Sequence, residues 1–140
     1  MEEALKRRVL DIALPFVNTS IPAGFPTPAL DYQEEEIDLS RILQPNPNSS
    51  FIIKVKGDSM TDANIPDGCM AVVDRSIRPG TGDIIVAALN GEYTVKRLVK
   101  AGRSWVLHPE NAFYKPIVIT EDCDFQVWGV VTAVIVDMRK

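Results

Sequence analysis

With 140 residues, 46% of them hydrophobic and 24% charged, the chain has the make-up of one globular domain able to bury a core without staples. A net charge of −4, with Lys6-Arg7-Arg8 as the one short basic run, argues against nucleic acid as a directly and tightly held partner. Cys69 and Cys123 lack any CxxC spacing, so they offer no metal site and read as small buried hydrophobes in a reducing compartment.

Ala4, Leu5, Val9, Ile12 and Ala13 recur between charges with a loose helical period over residues 2–14, and Pro15 ends such a helix. From Asn18 to Pro28 the chain changes character, with Pro22, Gly24, Pro26 and Pro28 favouring extended backbone. An acidic segment follows, Asp31 and Glu34 to Glu36. Ile37, Leu39, Ile42 and Leu43 then suit either a short helix or an edge strand. Pro45-Asn46-Pro47-Asn48 reads as a linker. These features divide the chain into a mobile N-terminal arm, residues 1–30, and a folded body, residues 31–140.

The body reads as strands at Phe51 to Lys56, Met70 to Asp74, Asp83 to Leu89 and Glu92 to Val99. Further strands are expected at Ser104 to Leu107, Pro116 to Ile119 and Phe125 to Val136. Short Val- and Ile-rich segments with turn residues between them predict a mainly β protein, a single compact all-β body. Asn90-Gly91 is a strong hairpin signal, and a two-residue loop there sets Leu89 opposite Glu92 and Lys96 opposite Ile85. Lys96 then shares a face with Thr94, Leu98, Ile85 and Ala87, an apolar setting for an ammonium. Arg97 points to the other face.

No apolar run approaches the roughly 18 residues of a membrane span. The start, Glu2-Glu3, lacks the basic and then apolar pattern of a secretory signal, so the expected location is the cytoplasm.

Gly57-Asp58-Ser59-Met60 follows the first strand of the body, where a turn can project a serine hydroxyl into a cleft. Such a hydroxyl needs a neighbour to take its proton. His108 precedes Pro109 with no acidic group placed to orient it, and reads as a loop histidine. Lys96 is the better base once desolvated, because burial pulls its pKa toward the working range. Its bland alternative is a side chain that snorkels to water. Ala23-Gly24, in the proline-rich arm, presents almost no side chain to obstruct an approaching nucleophile.

These residues together resemble the LexA/UmuD family of self-cleaving serine peptidases, closest to its UmuD branch. The resemblance is carried by Ala23-Gly24-Phe25-Pro26-Thr27-Pro28-Ala29, Asp31-Tyr32 and Ile37-Asp38-Leu39. It continues through Val55-Lys56-Gly57-Asp58-Ser59-Met60, Ile65-Pro66-Asp67-Gly68, Val73-Asp74 and Gly82-Asp83-Ile84-Ile85. Gly91-Glu92-Tyr93-Thr94-Val95-Lys96-Arg97-Leu98 and Val127-Trp128-Gly129-Val130-Val131 complete it. It spans nearly everything from residue 22 onward, with serine and lysine 37 positions apart.

The resemblance implies Ser59 as nucleophile, Lys96 as general base and the Ala23-Gly24 bond as the site of self-cleavage. Main-chain amides of Asp58 and Ser59 would hold the oxyanion. It further implies a bacterial cytoplasmic homodimer without cofactor or metal, whose cleavage is stimulated by a RecA filament on single-stranded DNA. The trimmed form would serve a Y-family, UmuC-like lesion-bypass polymerase. Ala23 departs from the Cys common before the scissile Gly in UmuD-type chains, and is the LexA-like choice. Only 23 residues precede the bond, too few for a helix-turn-helix domain, so sequence-specific DNA binding is not expected. The competing reading is a non-catalytic, β-rich dimeric adaptor that regulates a polymerase without cleavage. A membrane-anchored, signal-peptidase-like enzyme is disfavoured by the lack of an anchor.

Overall fold

The computed structural model describes residues 13–17, 20, 21, 23–25, 28 and 34–139. The chain divides into two units, residues 1–45 and 46–140. In the first, β1 (Ala13–Val17) pairs antiparallel with β2 (Glu34–Asp38), Pro15 lying opposite Glu36. The short helix α1 (Leu39–Leu43) follows directly. Its first turn is capped by Asp38, whose Oδ1 accepts from the amide and hydroxyl of Ser40 at 3.0 and 2.6 Å. The segment from Ile37 to Leu43 is therefore a strand end and a helix in succession. The helix expected over residues 2–14 is not what Ala13 and Leu14 adopt, since both pair in β1; its remainder lies outside the described residues.

The second unit is one seven-stranded antiparallel sheet. It comprises β3 (Ser50–Lys54), β4 (Met70–Asp74), β5 (Ile84–Leu89), β6 (Glu92–Ala101), β7 (Ser104–His108), β8 (Ile117–Ile119) and β9 (Phe125–Ile135). The spatial order is β3-β4-β9-β5-β6-β7-β8, which makes β3 and β8 the edges. The mainly β fold expected from the sequence is the fold observed. No helix among the described residues is long and apolar enough to cross a membrane.

Strand alternation explains why the central strands read as continuous apolar runs. On β5, Ile84 packs against a cluster of Val55, Met60, Ile65, Cys69 and Ala71. Its neighbour Ile85 joins Ala87, Leu98, Leu107 and Val130 in a second cluster. Successive side chains thus enter two different cores, and neither face of β5 can be polar. Complete burial of a side chain such as Ile85 or Leu107 contributes about 1.5–3 kcal/mol.

The hairpin β5-β6 has the register set by its loop, Leu89 opposite Glu92 and Ile85 opposite Lys96. Asn90 (φ 50°) and Gly91 (φ 84°) both take the left-handed conformation that a tight two-residue hairpin turn requires. Two bulges interrupt β9: Thr132 is extra opposite Val72/Val73, and Trp128 is extra opposite Val86/Ala87. Beside Trp128, a Cβ on Gly129 would lie 2.7 Å from Val73 Cγ1 and 2.9 Å from the Asp74 carbonyl oxygen. Only glycine lets β9 pass β4 so closely.

Candidate active site

The serine turn is built from the end of β3. The Val55 amide donates to the Cys69 carbonyl at 2.8 Å, and the Val55 carbonyl accepts from Gly68 at 2.8 Å. Beyond it, Gly57 turns with φ 99° and donates its amide to Asp67 Oδ1 at 2.8 Å. Met60, 2% exposed, anchors the far side; its carbonyl accepts from Ala63 at 3.1 Å and Ile65 at 3.3 Å. Ser59 sits half-buried between the exposed Asp58 and this anchor. The amide hydrogens of Asp58 and Ser59 have no acceptor among the described residues.

Lys96 comes to this turn from β6. Its Nζ donates to Ser59 Oγ at 3.0 Å, to Thr94 Oγ1 at 2.7 Å and to the Val95 carbonyl at 3.1 Å. All three ammonium protons are thus used, and the side chain does not snorkel to solvent. Half-burial lowers the Lys96 pKa below its ordinary value of 10.5, because leaving water disfavours the charged form. The two residues line a cleft of about 270 Å³, with Lys54 and Lys56 along one side and Tyr93 and Trp128 at another. The bulge on β9 turns Trp128 out of the ladder toward this cleft. Its ring meets Tyr93 at 4.3 Å and Phe51 at 6.1 Å between centroids.

Because Val55 bonds toward β4, period two directs the backbone groups of Lys54 and Lys56 away from β4, to the edge of β3 that pairs with no other strand among the described residues. An extended peptide can add to that edge as a further strand. Ala23 and Gly24 belong to the first unit, where residues 23–25 are exposed and a Cβ on Gly24 would meet nothing within 4 Å among the described residues.

His108 is exposed at the end of β7, opposite Arg97, and makes no hydrogen bond to Ser59. Cys69 is buried as expected. Cys123 is instead half-buried in a turn, where hydrogen bonds with Thr120 lower its pKa. Four contributors near the site were not identified from the sequence. Thr94 holds the ammonium, and its only signal was a shared strand face with Lys96. Glu110, Asn111 and Tyr114 contact the serine turn from a loop some 50 positions later, and carry no local signal.

The β body brings a serine turn and a half-buried lysine to one cleft, and comparison with known proteins places the chain in a peptidase family. The Peptidase S24-like family model matches residues 15–132. Protein SamA of Salmonella typhimurium strain LT2 is 42% identical over 126 residues, covering 90% of this chain and 87% of SamA. Protein MucA of Escherichia coli is 36% identical over 120 residues, covering 86% and 82%. The LexA repressor of Magnetococcus marinus is 40% identical over 114 residues, covering 81% of this chain and 48% of that repressor. The chain belongs to the S24-like peptidase family, the LexA/UmuD group.

Proposed function

We propose that the protein is a self-cleaving serine endopeptidase of the SOS DNA-damage response, with Ser59 as nucleophile, Lys96 as general base and Ala23-Gly24 as the bond cut. The observation that carries this reading is the 3.0 Å hydrogen bond between Lys96 Nζ and Ser59 Oγ at a half-buried position. A neutral Lys96 takes the Ser59 proton as Oγ attacks the Ala23 carbonyl carbon. The oxyanion is received by the Asp58 and Ser59 amides. Lys96 then gives its proton to the Gly24 nitrogen as the C–N bond breaks. Water, deprotonated by the same amine, releases the ester between Ala23 and Ser59.

On this reading residues 1–30 are the substrate-bearing arm and residues 31–140 the peptidase body. The protein works as a cytoplasmic homodimer, a RecA filament on single-stranded DNA stimulates the cut, and the trimmed form acts with a Y-family polymerase. The likeness to SamA and MucA, and membership of the LexA/UmuD group, support this setting.

The test is intact-mass analysis after incubation from about pH 7 to about pH 10, which spans the approach to the ordinary lysine value. Fragments 1–23 and 24–140 are expected, forming faster as pH rises. Ser59→Ala and Lys96→Arg are both expected to be inert, since a guanidinium does not give up its proton. A cut at another bond, or an active Lys96→Arg chain, defeats the assignment. A folded chain that stays whole throughout, with filament present, is the adaptor instead.

A further inference from the structure

The loop between β7 and β8 makes a set of contacts that the proposed chemistry does not use. Asn111 Nδ2 donates to the Asp58 carbonyl at 2.8 Å, and Tyr114 Oη hydrogen-bonds the Asp58 carboxylate. On the other side of Ser59, the Glu110 amide donates to Met60 Sδ at 3.4 Å, and the Glu110 carbonyl accepts from Asp62 at 2.8 Å. Two adjacent residues thus hold the serine turn both before and after the nucleophile.

Glu110 also reaches the strand that carries the base. Its Oε1 accepts from Arg97 Nε at 2.5 Å, and Arg97 directly follows Lys96. Arg97 Nη1 donates in turn to the Gly82 carbonyl at 2.5 Å. Sheet order shows why such a bridge matters. The serine turn leaves β3, whereas Lys96 is on β6, with β4, β9 and β5 between them. No ladder bond connects the two strands directly, so contacts outside the sheet must help fix their separation. A misplacement of about 1 Å at a reacting centre can lower a rate about 100-fold.

We infer that Glu110 and Asn111 are positioning residues, which lock the Ser59 turn to the Lys96 strand and hold Oγ within reach of Nζ. This inference rests on the Ser59-Lys96 reading, and its test has one readout that does not need cleavage. Full-length Glu110→Ala, Glu110→Gln and Asn111→Asp chains are compared with wild type for cleavage rate at alkaline pH and for thermal midpoint. The ε-carbon NMR signal of Lys96 is followed as well, with Ser59→Ala marking its position once the contact is gone.

Glu110→Ala and Asn111→Asp are expected to cleave about 10- to 100-fold more slowly and to move the Lys96 signal toward the Ser59→Ala position. Glu110→Gln keeps an acceptor for Arg97 and is expected to restore both. Asn111→Asp keeps the acceptor used by the Phe113 amide at 3.0 Å and loses the Nδ2 donor that reaches the Asp58 carbonyl at 2.8 Å and Thr61 Oγ1 at 3.5 Å, so it carries the test if Glu110→Ala does not fold. Wild-type rates with an unmoved Lys96 signal overturn the inference, as does a Glu110→Gln chain as impaired as Glu110→Ala. A wild-type chain that never cleaves defeats the peptidase reading, and the NMR signal then decides the positioning role alone.

Discussion

Three acceptors surround Lys96 Nζ, and each favours the ammonium over the amine. Burial opposes them and lowers the pKa. The folded chain therefore binds this proton less tightly than the unfolded one. The associated stability is complete above the ordinary value of 10.5 and is lost as pH falls through the lowered folded value. On the proposed function, cleavage is expected to follow the same titration, rising with pH until the amine is fully neutral. Thr94 acts on both position and charge, because its hydroxyl makes the shortest of the three bonds. Thr94→Val keeps the shape and removes the acceptor. The pH midpoint of cleavage is expected to move lower, since the ammonium loses support. The alkaline plateau, where the amine is neutral, is expected to fall by up to about tenfold, in line with the roughly 0.5–1.5 kcal/mol of a hydrogen bond between neutral groups. A pH series on the variant checks both movements. An unchanged midpoint would show that Thr94 does not contact the ammonium in solution.

Asp74 closes β4 and ties three segments together. Only 2% exposed, it accepts from Asn46 Nδ2 at 3.0 Å, Ser49 Oγ at 2.8 Å, and the Ser76 amide and hydroxyl at 2.8 and 2.7 Å. These donors, Asn46 foremost, hold its carboxyl well below the usual carboxylate range. A depressed carboxylate contributes stability that is present above its unfolded pKa of about 3.9 and lost as pH falls toward the folded value. Asp74→Asn turns an acceptor into a donor among donors, so its thermal midpoint is expected below wild type at neutral pH. The gap should narrow as the pH drops under about 4, where the unfolded wild-type carboxyl takes up its proton. A constant gap down the acid limb would show that the charge of Asp74 is not what holds these turns. The sequence marked Met70 to Asp74 as a strand, because Ala71, Val72 and Val73 form a short β-prone run. It could not show what satisfies the closing carboxylate, since its donors lie up to 28 positions away. The same limit hid β1. Pro15 reads locally as a helix stop, yet its missing amide is tolerated in a two-stranded ladder that only β2 completes. The hairpin was legible because Asn90-Gly91 states its own geometry. The Ser59-Lys96 meeting was legible through the family resemblance, and the Glu110-Asn111 bridge, a purely tertiary contact, was not.

At the scale of the whole molecule, the proposed cleavage must bring a bond in residues 1–45 to a cleft in residues 46–140. Between Gly24 and Ser59 lie 35 residue steps, at roughly 3.3–3.6 Å each when extended and about 1.5 Å each within α1. That contour exceeds the width of a small domain, so chain length permits the arm to enter its own cleft or that of a second copy. On the proposed function, a peptidase silent until damage gains from an arm held away from Ser59, and a filament would shift the balance toward the docked state. A homodimer with exchangeable arms meets this requirement, and mixing two defective chains tests it. Ser59→Ala supplies an intact bond without a nucleophile. Gly24→Asp supplies a nucleophile with a blocked bond, and a Cβ at this position meets nothing within 4 Å among the described residues. Mass analysis of the mixture, with RecA, single-stranded DNA and nucleotide present, is expected to show residues 24–140 released from the Ser59→Ala chain. Cleavage of neither chain, under conditions where wild type is cut, would show that each arm serves only its own active site.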